Sequence, residues 1–157
     1  MAGLQVPKPA HVGRFRGEPG LKTCRVEVQG KPGTAPAKLA AELKRYEQRL
    51  RRAVAALDAR YPSNETLDED GLAAAIDLAA WAHAEWVRMH PFANGNGRTA
   101  RLWANGLLMR YGLPPVLRLR PRPDGAYAAA GRAAMAGATA NSWQATALLL
   151  LGLMQRG

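Results

Sequence analysis

The interruption at residues 90–97 constrains the fold of this chain more than any other feature of its sequence. A proline and two glycines separate two alanine- and leucine-rich segments that have helical spacing. Pro91 disfavours the helical conformation at His90, so the preceding helix is predicted to stop near Met89. The following helix is predicted to begin around Asn96, inside the glycine-rich loop. The fold must therefore set a histidine and a glycine-rich loop between two consecutive helices.

Helical patterns fill most of the remaining chain. A helix is predicted over residues 36–59, because apolar side chains recur on one face and a proline opens the first turn. That face consists of Leu39, Leu43, Tyr46, Leu50, Val54 and Leu57. A second helix, capped by Asp68 or Asp70, leads into the interruption, and the third extends to about Tyr111. Two further helices are predicted, at about residues 125–136 and 141–154.

A period of two predicts a small β-hairpin before the helices. Residues 23–29 alternate apolar and polar side chains, as in a half-exposed strand. The predicted partner strand is the run 12–16, with a turn at 17–20. Residues 1–12 are predicted to form an irregular tail. The expected fold class is therefore mainly α, with one hairpin.

The charge balance indicates an attraction for anions but does not identify a ligand. The chain carries 22 Lys and Arg against 12 Asp and Glu, a formal charge of +10. The basic residues are spread along the chain without interleaved aromatic residues, so nucleic acid is not the predicted partner. Arg98, Arg101 and Arg110 follow the glycine-rich loop and are the exception, because they could attract a phosphate-bearing ligand. Arg110 is more simply explained as a surface charge near a helix C-terminus.

The sequence predicts a cytoplasmic protein without a membrane partner. No apolar run reaches the ~20 residues that a membrane-spanning helix needs, and the first residues lack a signal-peptide pattern. The single cysteine, Cys24, excludes an internal disulfide. Chains of the reducing cytosol have this cysteine usage.

The residues around the loop suit the chemistry of phosphate transfer. The first amides of a helix that begins in a glycine-rich loop are free to bind an anion, and the helix dipole favours negative charge there. Arg98 and Arg101 lie three residues apart on one helical face, where planar guanidinium groups can grip phosphate oxygens. His90 can be neutral near pH 7 and accept a proton from a hydroxyl. The combination predicts phosphoryl or nucleotidyl transfer to a hydroxyl.

Residues 90–101, His-Pro-Phe-Ala-Asn-Gly-Asn-Gly-Arg-Thr-Ala-Arg, resemble the signature of the Fic family. That signature runs His-Pro-Phe-x-Asp/Glu-Gly-Asn-Gly-Arg-x-x-Arg, and only Asn94 departs from it. The resemblance implies a Fic-like helical bundle spanning residues 13–157. It also implies that residues 13–34 form the family's flap, a β-hairpin that precedes the core helices and docks the target segment.

The family's reaction assigns a role to each matching residue. The resemblance implies that His90 is the general base, that Phe92 anchors the loop to the core, and that Arg101 holds the terminal phosphate of ATP. Arg98 would contact phosphate or stabilise the loop. The anion hole would be formed by Gly95, Asn96 and Gly97. The implied activity is a protein adenylyltransferase, which moves AMP from ATP to a Ser, Thr or Tyr hydroxyl. Gly97 favours this reaction over the phosphate-transferring Doc-type branch, which has a lysine there.

Asn94 leaves three alternatives open. The family's carboxylate at this position holds Mg²⁺, whereas an amide oxygen could coordinate Mg²⁺ or Mn²⁺ only without charge. The chain is therefore expected to bind metal weakly and to transfer AMP slowly. The alternatives are transfer of a different phosphate-containing group, or a catalytically silent module that binds nucleotide or protein.

The resemblance also implies partners. The substrate would be a protein whose hydroxyl side chain docks at the flap. Many family members carry an inhibitory helix with the pattern Ser/Thr-x-x-x-Glu-Gly/Asn. The nearest run here, Thr66–Gly71, has aspartate in place of the glutamate and is better explained as a helix cap. The chain is therefore expected either to be a short form of the family or to be inhibited by preceding sequence or by a separate, antitoxin-like protein.

Overall fold

The structure is a computed structural model, and it describes residue 11 and residues 13–62, 66–123, 125–137 and 142–156. Over these ranges the chain forms one antiparallel two-stranded sheet and five helices. Their bounds are β1 Glu27–Val28, β2 Lys31–Pro32, α1 Pro36–Arg60, α2 Glu69–Met89, α3 Asn96–Arg110, α4 Ala126–Ala134 and α5 Gln144–Met154. The prediction of a mainly α fold with a hairpin before the helices is confirmed.

Helix α2 begins at a cap that the sequence indicated. Asp68 is its N-cap, and its Oδ1 accepts hydrogen bonds from the Gly71 amide and the Tyr61 hydroxyl, both at 2.7 Å. A carboxylate at this position satisfies a free amide and favours the helix dipole. The run from Thr66 to Gly71 is therefore accounted for as the start of α2.

Helix α2 lies at the centre of the fold and packs against α1, α3, α4 and α5. It is buried along most of its length, and several of its buried positions are alanines without exposed surface. Small side chains let the neighbouring helices approach closely while the interior stays filled. The fully buried alanines of α2 are Ala75, Ala79, Ala80 and Ala82.

Helix α1 packs on α2 through the stripe that its sequence predicted. Tyr46 stacks on Trp81 with ring centroids 5.3 Å apart, and its hydroxyl donates to the Ala82 carbonyl at 3.3 Å. An ion pair reinforces this contact at the helix ends, where Arg88 bonds Glu42 of α1 at 2.5 Å and Glu85 of its own helix at 3.0 Å. These contacts fix the end of α2 that carries the site.

The hairpin forms with a different partner from the predicted one. β1 pairs with β2 through a tight turn at Gln29 and Gly30, both of which have positive φ. The prediction that residues 12–16 pair with 23–29 across a turn at 17–20 is wrong for the described residues; position 12 lies outside them. The segment after Gly13 instead forms turns, and the Arg16 amide bonds the Pro91 carbonyl at 2.8 Å.

The contacts of Arg16 explain why the segment after Gly13 packs against the end of α2 and does not pair with the hairpin. Its guanidinium is almost fully buried and donates to four carbonyl oxygens. Two belong to Met89 and His90, at 2.8 and 2.6 Å, and the others to Cys24 and Thr34, at 3.2 and 2.8 Å. A cation at the C-terminus of α2 satisfies carbonyls that have no intrahelical partner and complements the dipole.

Helix α5 is apolar over nearly its whole length, and it contacts α2 and α4. Leu150 and Thr146 are its fully buried residues, whereas Leu148 is 71% exposed. None of the helices in the described part of the chain is both long and apolar enough to cross a membrane.

Replacing Arg16 with methionine tests its role as the clamp between the flap and α2. The change leaves buried carbonyls without donors, so the free energy of unfolding is expected to fall by about 3 kcal/mol in urea titrations. Arg14→Met is the matched control, because Arg14 is exposed and bonds only the Pro19 carbonyl among the described residues. Arg14→Met should lower the free energy of unfolding by no more than about 0.5 kcal/mol. Equal losses in the two variants would contradict the assignment.

Candidate active site

A cavity of about 660 Å³ lies where the hairpin, the end of α2 and the start of α3 meet. The hairpin contributes its strand β1, and α4 and the loop before it close the opposite side. The lining residues that carry the chemistry are Glu27, His90, Asn94, Gly95, Asn96, Gly97, Arg98, Arg101, Arg120, Arg122 and Tyr127. The structure thus brings the predicted loop, histidine and arginines to one cavity, and Phe92 lies behind the loop.

His90 presents one defined nitrogen to the cavity. It follows the last residue of α2 in the left-handed conformation, with φ 51° and ψ 57°. A residue with a Cβ adopts this conformation only when its surroundings hold it there. Its Nδ1 lies 2.7 Å from the Val87 carbonyl oxygen. Because a carbonyl can only accept, Nδ1 must carry the proton, and Nε2 keeps its lone pair.

The surroundings of His90 favour its neutral form. Burial lowers the pKa of the imidazole below its usual value, and the charges of Arg16 and Arg122 lower it further. The hydrogen bond to Val87 opposes this shift without reversing it. His90 is therefore a neutral base at pH 7, ready to accept a proton at Nε2.

The loop offers free backbone amides to the cavity. Gly95 has φ 88° and is the N-cap of α3, and its carbonyl accepts from the amides of Arg98 and Thr99 at 3.0 and 3.1 Å. The amides of Asn96 and Gly97 precede these and find no acceptor in the described part of the chain. Two free donors at a helix N-terminus form a binding site for an anion.

The Asn96 side chain holds the loop instead of facing a ligand. Its Oδ1 accepts from the Phe92 amide and its Nδ2 donates to the Phe92 carbonyl, both at 2.8 Å. The half-buried Phe92 ring stacks on Phe15 with centroids 4.9 Å apart and lies 5.9 Å from Trp86. Asn96 can thus serve an anion only through its backbone amide, while its side chain and Phe92 fix the loop to the core.

Asn94 does not make a metal site. Its side chain is exposed, and its Oδ1 accepts from the Gly95 amide at 2.6 Å. No group of three or more acidic, His or Cys side chains suited to a metal occurs among the described residues. Mg²⁺ prefers charged oxygen ligands, and at this point of the loop it would meet a neutral amide that is already engaged. The donor set here does not fit the divalent cation that the resemblance implies.

Arg101 is a buried cation without an acidic partner among the residues described. Only 3% of its surface is exposed. Nη1 donates to the Tyr127 hydroxyl at 3.1 Å and Nη2 to the Leu119 carbonyl at 2.9 Å, whereas Nε finds no acceptor there. Burying an uncompensated charge is costly, so the geometry favours an anion in the cavity as the missing partner.

Arg98 and Arg110 differ in their relation to the cavity. Arg98 is exposed and lines it. Arg110 instead bonds Asp58 of α1 through two hydrogen bonds, at 3.1 and 2.5 Å. The predicted cluster of three arginines is therefore a pair at the site and one surface ion pair elsewhere.

Tyr127 connects Arg101 to a buried histidine. The His83 Nε2 lies 3.1 Å from the Tyr127 hydroxyl, which also accepts from Arg101. The hydroxyl thus contacts both groups, while the Nδ1 of His83 finds no partner among the described residues. Burial lowers the pKa of His83 to about 4, and Arg101 adds to this shift. His83 is thus a neutral support for Tyr127.

Four cavity residues were missed by the sequence prediction. Glu27, Arg120 and Arg122 had no assigned role, and Tyr127 fell without a role inside the helix predicted at about residues 125–136. The alternation of arginines at 118, 120 and 122 between prolines is the one signal in the sequence that could have drawn attention to this loop.

Comparison with known proteins finds a matching family model. The family model described as Fic/DOC family matches residues 10–108, more than half of the chain. The chain is 54% identical over 50 residues to "Protein adenylyltransferase Fic" of Nematostella vectensis, covering 31% of this chain and 12% of that protein. It is 57% identical over 42 residues to proteins of the same name from Drosophila melanogaster and Aedes aegypti, covering 27% of this chain and 8% of each. The chain thus spans about a tenth of the length of these relatives.

The buried His83 predicts a dependence of stability on pH. Its folded pKa of about 4 lies below the ordinary value of 6.5, so the unfolded state binds more protons between these values. The stabilisation is complete above pH 6.5 and is lost as the pH falls towards 4, by about 3 kcal/mol in all. In urea titrations from pH 7 to 4, His83→Gln should remove most of this slope, whereas His11→Gln should keep it. A slope unchanged by His83→Gln would refute the assignment.

Proposed function

The chain belongs to the Fic/DOC family, and we propose that it is a protein adenylyltransferase, which moves AMP from ATP to a Ser, Thr or Tyr hydroxyl of a protein target. One observation carries the proposal. One cavity is bordered by a neutral histidine with its free Nε2, by two backbone amides and by a buried arginine, and within the described ranges the amides have no acceptor and the arginine has no acidic partner. A hydroxyl and a polyphosphate are the reactants that this combination suits.

The reaction follows from the chemistry of these groups. His90 Nε2 takes the proton of the target hydroxyl as its oxygen attacks the α-phosphorus of ATP. The bond from the α-phosphorus to the bridging oxygen breaks, and pyrophosphate leaves with the electron pair. The AMP group is then joined to the target through a new phosphorus–oxygen bond. The proton on His90 passes to pyrophosphate or solvent, which restores the base.

The loop and the arginines stabilise the charge that develops during transfer. The amides of Asn96 and Gly97 would bind phosphate oxygens, and Arg101 would hold the distal phosphates. Arg98, exposed at the cavity, would add a further cationic contact. The resemblance also implies Mg²⁺ or Mn²⁺, but the neutral, hydrogen-bonded Asn94 does not fit such an ion, so no step is assigned to a metal.

The target protein would dock at the hairpin. Residues 26–29 of the hairpin line the cavity, so an extended segment lying along them could place its hydroxyl near His90. Arg101 lacks a carboxylate partner among the described residues, so a separate antitoxin-like protein could inhibit by supplying one. The lone Cys24 favours a cytoplasmic setting for this reaction.

Incubation with ATP labelled in its α-phosphate tests the proposal. The chain, with candidate targets or alone, is expected to gain the label and a mass increase of one AMP unit. His90→Ala should lower this incorporation at least about 100-fold, because the general base is lost. His11→Ala is the matched control, since His11 does not line the cavity, and it should retain the parent rate. Equal incorporation by the His90→Ala variant would overturn the site assignment, and another mass increment would indicate transfer of a different phosphate-containing group.

Asn94 gives specific support to a second candidate, a catalytically silent module that binds nucleotide or protein. Asn94→Asp separates the candidates, because it restores a charged oxygen ligand. With Mg²⁺ present, label incorporation is expected to rise at least about tenfold above the parent rate. Asn94→Ala is the control that removes the amide without adding charge. A parent that incorporates no label beside an active Asn94→Asp variant would favour the silent module, and equal rates for the aspartate and alanine variants would refute the expected gain.

A further inference from the structure

The loop between α3 and α4 directs two arginines at the cavity. Residues 117–123 are termed the arginine loop here, and Arg118, Arg120 and Arg122 alternate along it. All three side chains are exposed, but only Arg120 and Arg122 line the cavity. The loop therefore supplies two cations to the site and one to the surface.

Helix α3 holds the arginine loop in place. Asn105 makes two hydrogen bonds to Leu117, from its Nδ2 to the carbonyl at 2.7 Å and from the amide to its Oδ1 at 3.1 Å. Two residues further on, the Leu119 carbonyl accepts from Arg101 at 2.9 Å. The helix that carries the glycine-rich loop thus also anchors the loop that faces it, so both move with the same element.

The described cavity lining has a clear excess of positive charge. It contains Arg98, Arg101, Arg120 and Arg122, with Glu27 as its one carboxylate among the described residues. Neither Arg120 nor Arg122 makes an ion pair within the part of the chain that the structure describes. The charge of Arg122 also reaches the imidazole of His90, where it helps to keep that base neutral.

The glycine-rich loop carries no carboxylate among its described residues that could retain a metal. Asn94 is neutral, and its oxygen is bonded to Gly95. A nucleoside triphosphate carries on the order of four negative charges at neutral pH, and a divalent cation usually offsets part of them. Here four arginines are available for that purpose in the described lining.

We propose that Arg120 and Arg122 take the place of the metal ion, so that the site binds a metal-free nucleoside triphosphate. The inference rests on the proposed function and extends it to the charge state of the substrate. Guanidinium groups pair with phosphate oxygens in bidentate geometry and hold their charge at all physiological pH values. The arginine loop thus supplies the positive charge that a bound metal ion supplies in most phosphate-transfer sites.

Calorimetric titration with ATP tests the inference through binding alone. ATP in EDTA is expected to bind at least as tightly as ATP with Mg²⁺, because the cation would compete with the arginines for the same oxygens. Binding that requires Mg²⁺ would overturn the inference and leave the proposed transfer of AMP intact. An absence of binding under both conditions would overturn the inference and the proposed function together.

Variants of the arginine loop provide a matched comparison. Arg120→Gln and Arg122→Gln are each expected to weaken ATP binding in EDTA by about tenfold, because each removes a charge-assisted contact. Arg118→Gln makes the same change in charge on the same loop outside the cavity, and it should alter the affinity less than about twofold. Three equal effects would show that only net charge matters and would overturn the assignment.

The Asn94→Asp variant tests the same inference by adding a carboxylate that could bind a metal. A carboxylate near the phosphates should weaken ATP binding in EDTA and should make binding depend on Mg²⁺. In the Arg120→Gln/Arg122→Gln double variant, the same substitution should make Mg²⁺ still more important for affinity. An Asn94→Asp variant that binds ATP equally well with and without Mg²⁺ would contradict the proposed exchange of metal for arginine.

Discussion

The guanidinium of Arg16 is the interaction on which the rest of the structure depends. It joins carbonyls from three parts of the chain, namely the end of α2, the segment before the hairpin and the segment that leads into α1. A helix C-terminus buried without donors would be unstable, and Arg16 supplies these donors together with a favourable charge. Because the carbonyl of His90 is one of the acceptors, the same contact fixes the backbone of the proposed base. The hairpin segment and His90 are thus positioned by one side chain.

The electrostatic balance of the site is set by cations that have no acidic partner in the described chain. Arg101 is buried, and its contacts are a hydroxyl and a carbonyl, which are neutral acceptors. The Tyr127 hydroxyl that accepts from it also lies 3.1 Å from the Nε2 of the neutral His83. These neutral contacts orient the guanidinium of Arg101 but do not neutralise its charge. Arginines that form no internal ion pairs keep their positive charge available for a bound anion.

The sequence predicted those features that depend on local patterns. The apolar stripe predicted α1 to within one residue, Asp68 was named as a candidate cap of α2, and the break at Pro91 located the loop. The hairpin partner was wrong, because the choice was decided by the distant carbonyls that bind Arg16. The arginine loop was missed for the same reason, since it faces the cavity through contacts with Asn105 and Arg101. Helical periodicity contains no information about such long-range pairing.

The charge of Arg101, which has no acidic partner among the described residues, has a consequence for the folded protein as a whole. An anion that binds the native state at this cavity stabilises it in proportion to the logarithm of its concentration, once that exceeds the dissociation constant. If the proposed nucleoside triphosphate is that anion, the resistance of the chain to unfolding and proteolysis would rise with the nucleotide concentration around it.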